Sequence, residues 1–171
     1  PSGSLADTYC YNNYSAPAMV NFVPVAYEGS DDDAVPEKAR TYMVYQEGIY
    51  VGYKYYETRY EDYVMKKGNA GDYDYSADVA FPFGYGLSYT DFAYRDMEVS
   101  YHSDTDQFEI SVTVTNTGDT YAGKETVQIY VQSPYTAYDV KNGVEKAAVA
   151  LCGFGKTDVL EPGGSQTLQI F

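Results

Sequence analysis

Tryptophan is absent from this chain of 171 residues, histidine occurs once and cysteine twice. The single histidine, His102, stands beside a polar turn with no catalytic partner that the sequence can name, so it is read as a surface residue. Cys10 and Cys152 lie far apart and belong to no CxxC or Cys/His pattern. Two buried free thiols are therefore expected rather than a disulfide, and no metal ligands are assigned. Basic residues are scarce as well, with 11 Lys and Arg against 25 Asp and Glu and a formal net charge of −14. That balance argues against nucleic acid or an anionic membrane as partner, since both require clustered basic side chains. No apolar run approaches the roughly 20 residues that a membrane-spanning helix needs. No basic segment followed by an apolar one marks a signal peptide. Because Pro1 opens the sequence, a leader upstream is not excluded, and the compartment, cytoplasmic or secreted, is unknown.

What the chain has in abundance is tyrosine, 22 residues of it. Tyrosine combines a large apolar face with a polar tip, which suits half-buried seams, interfaces and sugar-contacting surfaces. Packing between domains is the favoured reading here. Two of these rings gather with two phenylalanines in Phe81-Pro82-Phe83-Gly84-Tyr85-Gly86-Leu87-Ser88-Tyr89-Thr90. Two glycines and a proline make this stretch a rigid turn. Phe81, Phe83, Tyr85 and Tyr89 are expected to anchor it, and it divides two structural regimes.

Before it, residues 1–27 show no sustained period and read as an extended segment lying across another surface. Residues 28–36 are an acidic turn. Its three aspartates, Asp31 to Asp33, lack the alternating ligand pattern of a calcium loop. Alternation from Ile49 to Tyr55 predicts one strand, with a turn at Glu47-Gly48. The charged residues Arg59 to Lys67 suggest a short helical stretch, and residues 68–78 form a loop by composition. The Asp72-x-Asp74 spacing in that loop is too weak to mark a metal site. Asn13-Tyr14-Ser15 matches the glycosylation triplet, a pattern common by chance.

After the turn the pattern changes. Phe92–Tyr101 reads as a strand with a bulge. Phe108–Thr115 alternates apolar and polar without fault and closes on Asn116-Thr117-Gly118-Asp119. Val127–Gln132, Ala147–Phe154 and Thr167–Phe171 complete about five short strands separated by Gly, Pro and Asn turns, with no helical pattern between them. The fold class expected is mainly β: an incomplete immunoglobulin- or fibronectin type III-like antiparallel sandwich, preceded by an irregular tyrosine-rich segment with one or two strands. A complete sandwich of that kind has about seven strands. The chain is therefore expected to be a fragment.

Four motifs, in order, carry a resemblance. Glu47-Gly48-Ile49-Tyr50-Val51-Gly52-Tyr53-Lys54-Tyr55-Tyr56-Glu57 resembles the EGIxVGYRYYD stretch of glycoside hydrolase family 3, with Lys54 and Glu57 replacing Arg and Asp. Phe81 to Thr90 is similar to that family's FPFGYGLSYT. Val112 to Gly118 with Gly123 to Val131 resembles VxVTNTGxxxGxEVVQLYV, and Gly153-Phe154 with Leu160 to Gly163 resembles its closing Pro-Gly segment. The resemblance implies that residues 1–87 are the tail of an α/β sandwich domain plus linker, and that 88–171 are a fibronectin type III-like domain truncated at its end. It also implies a β-glucosidase-like parent, in which an aspartate nucleophile and a glutamate acid/base hydrolyse β-glycosidic bonds with retention, the two carboxyls roughly 5 Å apart.

Neither catalytic motif occurs in this chain, so no catalytic, cofactor-binding or metal residue is assigned and no cofactor is expected. The expected partners are the remaining catalytic domains of the parent, whose substrate is an oligosaccharide or β-glucoside, and a homo-oligomer stays possible. The function expected is a non-catalytic structural portion of the enzyme. A carbohydrate-binding or protein-interaction module using exposed tyrosines is the alternative. Residues 1–80 carry apolar side chains without a partner surface and are expected to fold poorly alone.

Overall fold

The computed structural model describes residues 2–46 and 48–171, so Glu47 of the expected Glu47-Gly48 turn lies outside the described residues. The chain forms two compact units that alternate along the sequence. One comprises residues up to Ala6, Phe83–Gln132 and Val149–Phe171, and the other comprises Asp7–Pro82 and Ser133–Ala148.

The first unit is a small antiparallel β-sandwich. Strands β1 (Phe92–His102), β2 (Gln107–Asn116), β3 (Thr126–Val131), β4 (Ala150–Lys156) and β5 (Ser165–Ile170) make two sheets. The three-stranded sheet has the order β5-β2-β1, and β4 pairs with β3 in the other. Period-two alternation explains this unit directly, because successive side chains of a strand point to opposite faces. Val112, Val114 and Asn116 of β2 are buried, as are Val127 of β3 and Ile170 of β5. With Leu160, the four aliphatic residues form the core, and Phe92, Ile129 and Leu168 pack against it. On the outer face of the β2–β5 pair, Thr113 meets Thr167 and Thr115 meets Ser165, each pair of hydroxyls 2.8 Å apart. The bulge expected in β1 is present: its register with β2 shifts between Arg95 and Glu98, and Asp96 takes φ 53°.

Two glycine features shape this unit. Gly153 of β4 faces Ile170, whose Cγ2 would stand 2.8 Å from an added Cβ, so the missing side chain lets the sheets approach. Gly84 has φ +80°, and an added Cβ would also meet Gln128 Oε1 at 2.5 Å. Around it the N-terminal Gly3-Ser4 pairs with Gly86-Leu87, and Leu5 exchanges backbone hydrogen bonds with Gly84 and Tyr85. The boundary between the units falls between Pro82 and Phe83. The expected anchoring is only partial, because Phe81, Tyr85 and Tyr89 remain exposed. Tyr89 meets Tyr121 edge-on at a ring-centroid distance of 6.3 Å.

The second unit contains the helices. The strand expected from Ile49 to Tyr55 is not formed; α1 (Tyr53–Met65) begins within it. Gly52 supplies the break with φ 57°, ψ −132°, a conformation that disfavours a Cβ, and the helix ends at Lys66 in the left-handed region. A four-residue helix, α2 (Tyr75–Asp78), follows a loop. The third, α3 (Ala137–Asn142), lies in sequence between β3 and β4, where no helix was expected. It carries a capping box: the Thr136 hydroxyl accepts from the Asp139 N–H, while the Asp139 carboxylate accepts from the Thr136 N–H at 2.6 Å. Its segment packs within the second unit, where Ala148 N–H donates to Thr58 Oγ1 at 2.9 Å and the Tyr50 hydroxyl to the Lys146 carbonyl at 3.4 Å. Residues 9–46 contribute only strand pairs two residues long and single 3-10 turns.

Candidate functional site

Helical spacing brings Tyr55, Tyr56, Arg59, Tyr60 and Tyr63 of α1 to neighbouring positions along one side of the helix. The loop after it folds back and adds Tyr73 and Tyr75. The Arg59 guanidinium lies over both the Tyr55 ring, 5.6 Å from its centroid, and the Tyr73 ring, at 5.1 Å. It also donates to the Ala70 carbonyl at 3.3 Å, which fixes the loop against the helix. Lys66 covers the Tyr63 ring at 4.2 Å. The Tyr60 and Tyr75 rings stand 5.2 Å apart, tilted by 59°.

Hydrogen bonds then lock the phenols. Tyr75 donates to Glu57 Oε1 at 2.6 Å and Tyr73 to Asp78 Oδ2 at 3.1 Å. The other Asp78 oxygen accepts from the Ser15 hydroxyl at 2.8 Å, and Tyr55 donates to the Ser15 carbonyl at 3.1 Å. Burial raises the pKa of the Tyr73, Tyr75 and Tyr56 hydroxyls well above the ordinary phenol range. The neighbouring carboxylates Asp78 and Glu57 reinforce this for Tyr73 and Tyr75, and the hydrogen bond with Cys10 does so for Tyr56. The Tyr73 and Tyr75 hydroxyls are therefore neutral donors at physiological pH, with Asp78 and Glu57 as their acceptors. Beside this network lies an open cleft of about 850 Å³, lined by Glu57, Tyr60, Tyr63, Asp72, Tyr73, Asp74, Tyr75, Ser76 and Pro82.

Elsewhere in the same unit Asp139 is buried, and Lys146 Nζ stands 2.9 Å from its Oδ1. Its carboxyl is held down to about 2, first by the Thr136 backbone N–H, then by Lys146 and the Thr136 hydroxyl. In the sandwich unit, burial pushes Tyr94 up to about 12, and Glu125 reinforces the shift.

Residues weighed for chemistry on sequence take up structural positions. Among the described residues, no group of three or more His, Cys, Asp or Glu converges as a metal site would. Asp32 accepts from the Ala34 N–H within the acidic turn. Asp74 caps α2, accepting from the Ser76 and Ala77 N–H groups, while Asp72 lines the cleft. His102 Nε2 stands 2.7 Å from Glu109 Oε2, its side chain 42% exposed. Both cysteines are free thiols, but the expected burial fails for Cys152, which is exposed, and Cys10 is half-buried. Cys10 donates to Asn13 Oδ1 at 3.0 Å. The tyrosine–arginine cluster itself was not foreseen. The Tyr55-x-x-x-Arg59 and Arg59-x-x-x-Tyr63 spacings, read as helical, would have pointed to it.

Comparison with known proteins places the chain. No protein-family model matches the sequence. Over 170 residues, 98% of this chain, it is 36% identical to thermostable β-glucosidase B of Acetivibrio thermocellus, of which that covers 18%. A β-glucosidase of Kluyveromyces marxianus is 37% identical over 99% of the chain and 16% of its own length. Among solved structures, a β-glucosidase from Paenibacillus barengoltzii superposes with a TM-score of 0.67 at 34% identity, over 99% of this chain and 15% of that one. β-Glucosidase 3B from Thermotoga neapolitana gives a TM-score of 0.65 at 31% identity, over 99% and 19%.

The mainly β, antiparallel fold and these matches correspond to one portion of the β-glucosidases just described. The chain is a fragment of a family 3 protein, spanning less than a fifth of the length of these relatives.

Proposed function

We propose that this chain is a non-catalytic, structural portion of a family 3 glycoside hydrolase whose whole hydrolyses β-glucosides with retention. The observation that carries this reading is the match itself: 98% of the chain aligns with a β-glucosidase of which it covers 18%. In this reading residues 1–87 close an α/β sandwich domain and its linker, and residues 88–171 form the fibronectin type III-like domain, with residues 133–148 as an excursion from it. The aspartate nucleophile and glutamate acid/base, roughly 5 Å apart in a retaining enzyme, belong to the rest of the parent.

Two features of this chain support a docked, supporting role. Tyr11, Tyr14, Val20, Val23 and Tyr45 are 72%, 73%, 67%, 63% and 66% exposed, large apolar side chains that a docked partner would cover. The carboxylates of the tyrosine cluster, Glu57 and Asp78, already accept phenol hydrogen bonds that stabilise the loop. The test is hydrolysis of an aryl β-glucoside by the purified chain, alone and with the rest of its parent added. Activity only on recombination is expected. Activity in the chain alone would overturn the non-catalytic reading, and none in either case would overturn the glycosidase reading.

A further inference from the structure

The cleft beside α1 has a chemistry that narrows what it can hold. Among the described residues no lysine or arginine lines it, while Glu57, Asp72 and Asp74 do, so the lining disfavours an anionic ligand. A cation would seek the tyrosine faces. Two of those rings already carry one, however, with Arg59 on Tyr73 and Lys66 on Tyr63. The tilted pair of Tyr60 and Tyr75 is left, and Tyr60 is 46% exposed. A neutral polyol satisfies both features: its C–H faces cover aromatic rings, and its hydroxyls donate to carboxylate oxygens. Glu57 Oε1 is taken by the Tyr75 hydroxyl and Asp74 Oδ1 by the cap of α2. Among the described residues Glu57 Oε2, Asp74 Oδ2 and the Asp72 carboxylate are left as acceptors. The cleft is open to solvent, and at about 850 Å³ it is far larger than one small ion requires.

From these observations we infer that the cleft between α1 and the start of α2 binds a neutral glucose-based oligosaccharide, as a holding site that performs no bond cleavage. The inference rests on the glycoside hydrolase reading for the kind of sugar, and on the cleft for the site. The experiment is a nuclear magnetic resonance titration with cellotriose. It uses the full 171-residue chain, isotopically labelled, both alone and joined to the unlabelled remainder of its parent. Only this chain gives signals, so sugar held elsewhere in the assembly leaves residues 57–76 unmoved.

Saturable millimolar shifts at Glu57, Tyr60, Asp72 and Tyr75 are expected. They should weaken about tenfold in Tyr60→Ala, which removes the exposed ring, and about threefold in Asp72→Asn. Shifts that fail to saturate, that lie outside 57–76, or that persist unchanged in both variants would overturn the proposal. So would tighter binding of tri-lysine to the same residues, because the cleft would then be a cation site. The hydrolysis assay reads the parent's chemistry and this titration reads binding at one cleft, so either reading can fail while the other stands.

Discussion

Asn116 Nδ2 donates to the Leu160 carbonyl at 2.9 Å, tying the end of β2 to the segment between β4 and β5. The same amide donates to the Tyr121 carbonyl at 2.9 Å, and its Oδ1 accepts from the Thr90 hydroxyl and from the Gly118 N–H. Asn116 is 0% exposed, so this is a buried amide with all four hydrogen-bonding positions used. Replacing it with leucine removes every partner at once and strands polar groups in the core. Asn116→Leu is expected to destabilise the sandwich by about 3 kcal/mol. Urea unfolding followed by circular dichroism checks this, and a change below about 1 kcal/mol would mean that water satisfies the site.

Gly153 faces Ile170 so closely that any side chain must displace it. Valine at 153 has no flexible end to yield, and Ile170 belongs to the core. Gly153→Val should cost about 2 kcal/mol through overpacking, and shortening the partner to Ala in a Gly153→Val/Ile170→Ala pair should couple non-additively. Additive effects in that cycle would refute the contact.

The five sandwich strands were legible because each depends on short-range alternation, and Ile110 to Asn116 shows it without interruption. Residues 49–55 alternate equally well and misled for that reason. Alternating residues there satisfy a period of two, yet Tyr55 also joins Tyr56, Tyr60 and Tyr63 on a helical face, and Gly52 marks where the helix takes over. The α3 helix announced itself in Thr136-x-x-Asp139, but a helix of six residues leaves too little periodicity to be seen without its cap. Only the helical half of the cluster around Arg59 was legible, in the spacing of Tyr55 and Arg59; positions 15, 73 and 78 join it through loop geometry that composition does not encode.

Asp139 ties acid sensitivity to the 133–148 segment. Its folded pKa, about 2, lies below the roughly 3.9 of an unfolded aspartate, so the unfolded state binds more protons between those values. The stabilisation is present above about pH 4 and is lost as pH falls toward 2. Resonances of Val140 and Val144, which hydrogen-bond to the Thr136 and Asp139 carbonyls, should report loosening in that window. In Asp139→Asn the acid step should vanish, with the segment weakened at all pH values by loss of the Lys146 ion pair. An acid step that survives the substitution would assign it to other carboxyls.

The raised phenols run in the opposite direction. Tyr56, Tyr73, Tyr75 and Tyr94 favour their neutral form in the folded chain, so their contribution is complete below about pH 10 and is lost as pH climbs through the higher folded values. Ultraviolet titration at the tyrosinate band should therefore lag in the native chain relative to the chain in urea, until alkaline unfolding releases the held rings. Coincident curves would show that the cluster is open to solvent.

Protection from hydrogen exchange should divide the chain along the same physical lines. Amides of residues 12–46 close only single turns and strand pairs two residues long, beneath side chains as exposed as Tyr14 and Val20. Those of β2 are bonded on both sides, to β1 and to β5. Local opening free energy scales with such burial and pairing, so the isolated chain should exchange rapidly at 12–46 and slowly at 110–116. If the exposed rings of 12–46 dock on the rest of a parent enzyme, recombination should slow exchange there by at least tenfold while leaving β2 unchanged. Strong protection of 12–46 in the monomeric chain would show instead that this segment needs no partner, and the argument from its exposed apolar surface would fall.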